Sequence, residues 1–112
     1  MLLDILIAAR HVSEFTANMS QPEFEADRKT HGAVMHEFTV MGEAARLLSA
    51  EAKARHSHID WRSVTGMRSV LVHEYFAIDF DVLWDAVEHD IPPLILHLEQ
   101  IVPPDSQDTG LE

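Results

Sequence analysis

Apolar residues in this chain recur at spacings of three and four, and that periodicity restricts it to helices packed on helices. Leu2, Ile5, Leu6, Ala9, Val12 and Phe15 fall on one face of a 3.6-residue helix and predict a first helix over about 2–18. Ser20-Gln21-Pro22-Glu23 then reads as a capping box with proline in the first turn. A second helical region runs from there to about residue 55. Its stripe is Phe24, Val34, Phe38, Met41, Ala45, Leu48 and Ala52, with a bend expected near Asp27–Thr30. Gly42 inside that region points to close helix approach, since an internal glycine costs about 1 kcal/mol relative to alanine. No segment pairs two-residue alternation with the turn residues of a hairpin.

A His-rich connection, Arg55-His56-Ser57-His58, separates this region from the next. Asp60 is placed to cap a third helix from Trp61 to about Tyr75, which Gly66 is expected to divide into a short turn and a longer helix. Asp79 is placed to cap a fourth, with Phe80, Leu83, Trp84 and Val87 on one face and Leu94, Ile95, Leu98 and Ile101 continuing it. Pro92-Pro93 must kink that last helix, because each proline lacks a donor and crowds the preceding turn. The fold expected is all-α: an antiparallel up-down four-helix bundle over residues 1–102, with 103–112 as a flexible acidic tail. So small a bundle, rich in apolar residues, is expected to bury some of them in a homodimer.

Composition narrows the setting. The 112 residues include no cysteine, which removes disulfides and thiolate metal sites and fits a reducing cytoplasm. No eighteen-residue window is apolar throughout, so no membrane span is expected. The N-terminal run Met1–Arg10 has Asp4 inside it and its basic residue after it, the wrong order for a secretory signal. The net charge of −11 opposes any nucleic-acid role, because strands are bound chiefly through Lys and Arg. The charge is segregated, however. Residues 46–68 carry five bases (Arg46, Lys53, Arg55, Arg62, Arg68) against Glu51 and Asp60, whereas 69–112 carry ten acids and no Lys or Arg. Solvated helix faces would account for this, and the acidic surplus would also suit a basic protein partner.

The basic stretch leads into Gly66-Met67-Arg68-Ser69-Val70-Leu71-Val72-His73-Glu74-Tyr75. Arg68 offers a planar fork of donors that suits a phosphate. His73 can move a proton near neutral pH, and Tyr75 carries a modifiable hydroxyl. At 100° per residue Arg68 and Tyr75 lie within about 20° of each other on a helix, but His73 lies about 140° from Arg68. One regular helix cannot aim all three at one point. Either the chain turns near His73, or a second copy completes the site across a dimer interface. Taken alone, an arginine followed by a histidine in a helix is an ordinary surface cation beside a core imidazole, and Tyr75 an amphipathic residue at a core edge.

The pattern of Arg68, four residues, His73, one residue and Tyr75 resembles the signature of HEPN-domain ribonucleases, the HepT-like toxins in particular. Further landmarks stand in order around it: Arg28-Lys29-Thr30, Met41-Gly42-Glu43-Ala44, Ile59-Asp60-Trp61, Ile78-Asp79, Leu83-Trp84 and Asp90-Ile91-Pro92-Pro93-Leu94. The resemblance spans about residues 5–102. Two positions depart from it. Ser69 stands where the family commonly has asparagine; its hydroxyl can bond a phosphate but lacks the bidentate reach of an amide. His58-Ile59-Asp60 occupies the stretch where a proline often precedes the tryptophan.

The resemblance implies a metal-independent endoribonuclease toxin, needing no cofactor. The RNA 2′-hydroxyl would be the internal nucleophile. His73 would act as general acid or base, and Arg68 would hold the scissile phosphate and stabilise its developing charge. Glu43 or Glu74 would orient the imidazole, with Ser69 in support. The products would be a 2′,3′-cyclic phosphate and a 5′-hydroxyl. It also implies a minimal nucleotidyltransferase antitoxin that adenylylates Tyr75, adding charge and bulk where RNA phosphate must bind.

Two other readings compete. Eight histidines and many carboxylates in a helical bundle suggest a di-metal protein, but the Glu-x-x-His repeats of that class are missing. The second is a non-catalytic dimer that binds a nucleotidyltransferase or a nucleotide, which the acidic charge and Ser69 would suit.

Overall fold

Helix boundaries along this chain are set by side chains that offer the backbone a competing hydrogen bond. The computed structural model describes residues 1–73 and 78–103, without the side chains of 70–73. Helix α1 (Leu2–Phe15) ends with its apolar stripe, short of the expected bound near residue 18: Thr16 bonds back to the Val12 carbonyl through its hydroxyl (2.8 Å), and Asn18 takes a left-handed φ of 63°. Asparagine tolerates that conformation better than most residues. Ser20 and Glu23 form the capping box reciprocally and start α2 (Gln21–Ala26).

The second helical region is three helices rather than one bent helix. Asp27 closes α2 and caps α3 (Arg28–Leu47), accepting from Thr30 N at 3.1 Å. Leu48 is extended, and Ser49 caps α4 (Ala50–Arg55) by accepting from Ala52 N. In both places a short polar side chain satisfies an orphan N–H, which makes a fresh start cheaper than continuing. Asp60 caps α5 (Trp61–His73) through Ser63 N, and the Trp61 indole donates to the His56 carbonyl. Contrary to expectation, α5 runs unbroken through Gly66. Nothing stands within 4 Å of where a Gly66 Cβ would be, so no packing force breaks the helix there.

Asp79 caps α6 (Phe80–Asp85), which continues through a π-helical turn at Ala86–Asp90 into α7 (Ile91–Ile101). The sequence places the disturbance at Pro92-Pro93; the structure places it one turn earlier. The prolines occupy the first turn of α7, where missing donors are tolerated, and the wider π turn before them relieves the clash with preceding carbonyls.

All described secondary structure is helical, and its four long segments form the up-down bundle. Helix α1 packs between α3 and α7, and α3 packs also on α5. Ile5, Leu6 and Val12 meet Val34, Met41, Ile91 and Leu98 in a core these residues enter fully buried. Phe24 sits against Trp84 (ring centroids 5.0 Å) and Phe80 (6.3 Å), which fastens α2 to α6. Cross-helix polar pairs sit at the margins: Arg10–Glu99 at 2.8 Å, and His11 Nδ1 2.7 Å from Glu37, a buried carboxylate outside the apolar stripe. Phe15, counted above with the core face of α1, is 40 % exposed and stacks on His11. Among the described residues no helix is long and apolar enough to cross a membrane. The expected tail lies outside the described residues from 104 onward.

Candidate functional site at the crossing of helices 3 and 5

The expectation of close approach at Gly42 is met, and the helix it meets is the one bearing Arg68. A Cβ added at Gly42 would lie 2.5 Å from Arg68 Cβ and 2.8 Å from Arg68 N. Real non-bonded carbons do not approach so closely, so only glycine permits this crossing. The next residue, Glu43, reaches the same point. Its Oε1 forms an ion pair with Arg68 Nε, and its Oε2 accepts from an Arg46 Nη2 at 3.1 Å. One carboxylate thus joins two arginines, one from each helix.

The group is open to solvent. The Arg68 side chain is 44 % exposed and that of Glu43 36 %, so the guanidinium is anchored yet accessible. Ser69 is exposed beside it. Arg46, Arg55 and Arg62 are also exposed, on the C-terminal turn of α3, on α4 and on α5. Of these, Arg46 shares the Glu43 carboxylate with Arg68, so two cations stand at the crossing of an otherwise acidic chain.

The backbone of His73 continues α5 five residues beyond Arg68. Its side chain lies outside the described residues, as do Glu74 and Tyr75 altogether. Of the two carboxylates expected to orient the imidazole, Glu43 is engaged with Arg68 and Arg46. The i, i+3 spacing of Glu43 and Arg46 was a signal in the sequence that went unread; Arg68 as the third member depends on helix crossing and has no signal in linear spacing.

A second concavity lies on the side of α5 facing the π turn and α7. Its volume is about 220 Å³, and His58, Asp60, Ser63, Met67, Asp90 and His97 are among the residues lining it. The His58 and His97 rings meet edge to face at 4.9 Å. Burial, with Asp85 adding repulsion, pushes the Asp90 carboxyl above its ordinary range. Among the described residues no group of three or more His, Asp or Glu side chains is arranged to hold a metal ion.

A family model described as "Ribonuclease HepT-like" matches residues 5–101. A Thermococcus cleftensis protein named "Probable ribonuclease HepT" is 39 % identical over 93 residues, covering 83 % of this chain and 84 % of the relative. A Methanocaldococcus jannaschii protein named provisionally as an RNase is 33 % identical over 98 residues, covering 88 % and 90 %. A similarly named protein of Caldanaerobacter subterraneus is 29 % identical over 98 residues, covering 88 % of each chain. No solved structure gives a significant match. The chain belongs to the HepT-like ribonuclease family.

Proposed function

We propose that this HepT-like ribonuclease cleaves RNA without a metal ion, with Arg68 holding the scissile phosphate and His73 moving the proton. Family membership makes the chain an endoribonuclease; the division of labour among its residues is our reading. The observation that carries it is an arginine anchored at its Nε by Glu43, open to solvent, on the helix that bears His73. Such a group can meet a phosphate without first being ordered, and it stabilises charge that builds on the phosphate oxygens. His73 takes the proton of the 2′-hydroxyl or supplies one to the leaving 5′-oxygen, help worth about 10²–10⁴-fold. The 140° between Arg68 and His73 on a regular helix supports a composite site in a homodimer, with one copy supplying the phosphate clamp to the other copy's imidazole. Seven residues on from Arg68, a tyrosine on a regular helix would fall within about 20° of it. Adenylylation there by a nucleotidyltransferase antitoxin places a phosphodiester where it can pair with Arg68, and the RNA is then excluded by charge and bulk.

The test is incubation of mass-checked, unmodified protein with structured RNA in EDTA, beside Arg68→Ala and His73→Ala. Cleavage by the unaltered protein alone, leaving cyclic-phosphate ends, is the expected result. Cleavage that persists in either variant at equal folded concentration removes that residue from the chemistry. No cleavage across several RNAs with Tyr75 bare would leave a non-catalytic dimer that binds its partner.

A further inference from the structure

We infer that Glu43 is the positioning residue of Arg68: by taking the Nε edge of the guanidinium, it turns the two terminal nitrogens outward as the pair that receives the RNA phosphate. The inference rests on the reading of Arg68 as the phosphate-holding group.

Three features of the α3–α5 crossing support it. The glycine at position 42 brings the Arg68 backbone against bare helix, so the base of the side chain is fixed by contact with α3. Glu43 then engages Nε, the one guanidinium nitrogen whose capture determines the plane of the group while leaving the end-on nitrogens available to a ligand. Arg46 holds the other Glu43 oxygen at 3.1 Å, so the carboxylate is itself restrained from two sides. A phosphate is best met by two coplanar N–H groups in parallel. An exposed arginine with nothing at Nε would spread over many rotamers and present that fork only part of the time.

The electrostatic consequence is opposite in sign to the geometric one. A carboxylate beside the phosphate site repels RNA in the ground state, and Arg46 offsets only part of that charge. Loss of Glu43 is therefore expected to leave RNA binding unchanged or tighter while chemistry slows. General loss of folding would instead lower the active fraction and leave KM unmoved.

Cleavage of an RNA oligonucleotide is measured for the unaltered chain and for Glu43→Ala, Glu43→Gln, Glu43→Asp and Arg68→Lys. Glu43→Ala is then combined with Arg68→Lys. Melting curves establish the folded concentration of each, and Glu43→Gln preserves the side-chain size that alanine removes. The expected result is kcat lower by about 10- to 10²-fold in Glu43→Ala, in line with the penalty for slight misplacement of a reacting group. KM should not rise, and Glu43→Asp should recover part of the loss. In the Arg68→Lys background, Glu43→Ala should cost little more, because a lysine has no Nε edge to be held.

Unchanged kcat in Glu43→Ala and Glu43→Gln overturns the inference, as does a loss that multiplies fully with that of Arg68→Lys. In either case the unaltered chain still cleaves, and Arg68 keeps its assigned role. Failure of the underlying reading looks different: the unmodified chain cleaves nothing, and Arg68→Ala does not weaken binding of cleavage-inert 2′-O-methyl RNA. Arg68 then has no phosphate to receive, and the role of Glu43 falls with it.

Discussion

Glycine at two positions of α3 has opposite meanings, and the difference lies in what surrounds the missing methyl group. Gly32 has nothing within 4 Å of its absent Cβ, whereas Gly42 has the Arg68 Cβ and backbone nitrogen inside 3 Å. Gly32→Ala should therefore raise stability by about 0.5–1 kcal/mol, the ordinary helix-propensity gain. Gly42→Ala should lower it by about 1–3 kcal/mol, the range for overpacking, because a backbone atom of α5 cannot move aside cheaply. RNA cleavage should fall with it, since the displacement is centred on Arg68. Denaturant titrations of both variants check the signs; a stabilised Gly42→Ala would mean the crossing is looser than it looks. The sequence marked Gly42 as a point of close approach. It could not name Arg68 as the neighbour, because twenty-five residues and a connecting helix lie between them.

Among the elements, α6, the π turn and α7 depart furthest from what their sequence suggests. Pro92-Pro93 announced a disturbance, and the wider turn absorbs it at Ala86–Asp90. Asp90 ends that turn without bonding any backbone N–H through its side chain. Burial and then Asp85 hold its carboxyl above the ordinary range, while His89 opposes them. A carboxyl whose folded pKa is raised is penalised once ionised. The penalty is absent below the unfolded value, enters as pH rises through the folded one, and is complete at neutrality. Asp90→Asn is thus expected to melt higher than the unaltered chain at pH 7. The effect should stay within about 0.5 kcal/mol, or about 2–4 °C, because the side chain is largely exposed to screening solvent. The gain should shrink as pH is lowered toward about 3.5, near the ordinary carboxylate value. Thermal melts at both pH values decide the matter: a pH-independent gain would point to helix preference and not to charge.

For the molecule as a whole, the question is how an acidic chain of net charge −11 holds a polyanion. Exposed Arg46 and Arg68 meet at Glu43 where α3 and α5 cross, Arg55 and Arg62 are exposed on α4 and α5, and the bases of residues 1–45 number three and those of 69–112 none. RNA binding is expected to weaken with salt. Arg62→Ala should reduce the slope of log K against log salt by about 0.7, the value for one single-strand phosphate contact. Arg10→Ala should leave the slope unchanged, since Arg10 is joined to Glu99 across α1 and α7. Binding isotherms at four salt concentrations measure both. Equal slopes for all three proteins would mean that Arg62 makes no contact with an RNA phosphate.

The sequence by itself determined the helical class, the capping residues Ser20, Asp60 and Asp79, and most of the buried stripe. Each of these depends on groups within one or two turns of one another, where spacing and local hydrogen bonding suffice. It also carried the resemblance that led to the family. The bend expected near Asp27 proved to be a break, and that break, the one at Ser49, the unbroken course of α5 through Gly66 and the exposure of Phe15 followed from balances of about 1 kcal/mol that packing tips either way. The joining of Glu43, Arg46 and Arg68 belongs to tertiary structure alone, because it exists only where two helices cross closely enough for one carboxylate to reach both arginines.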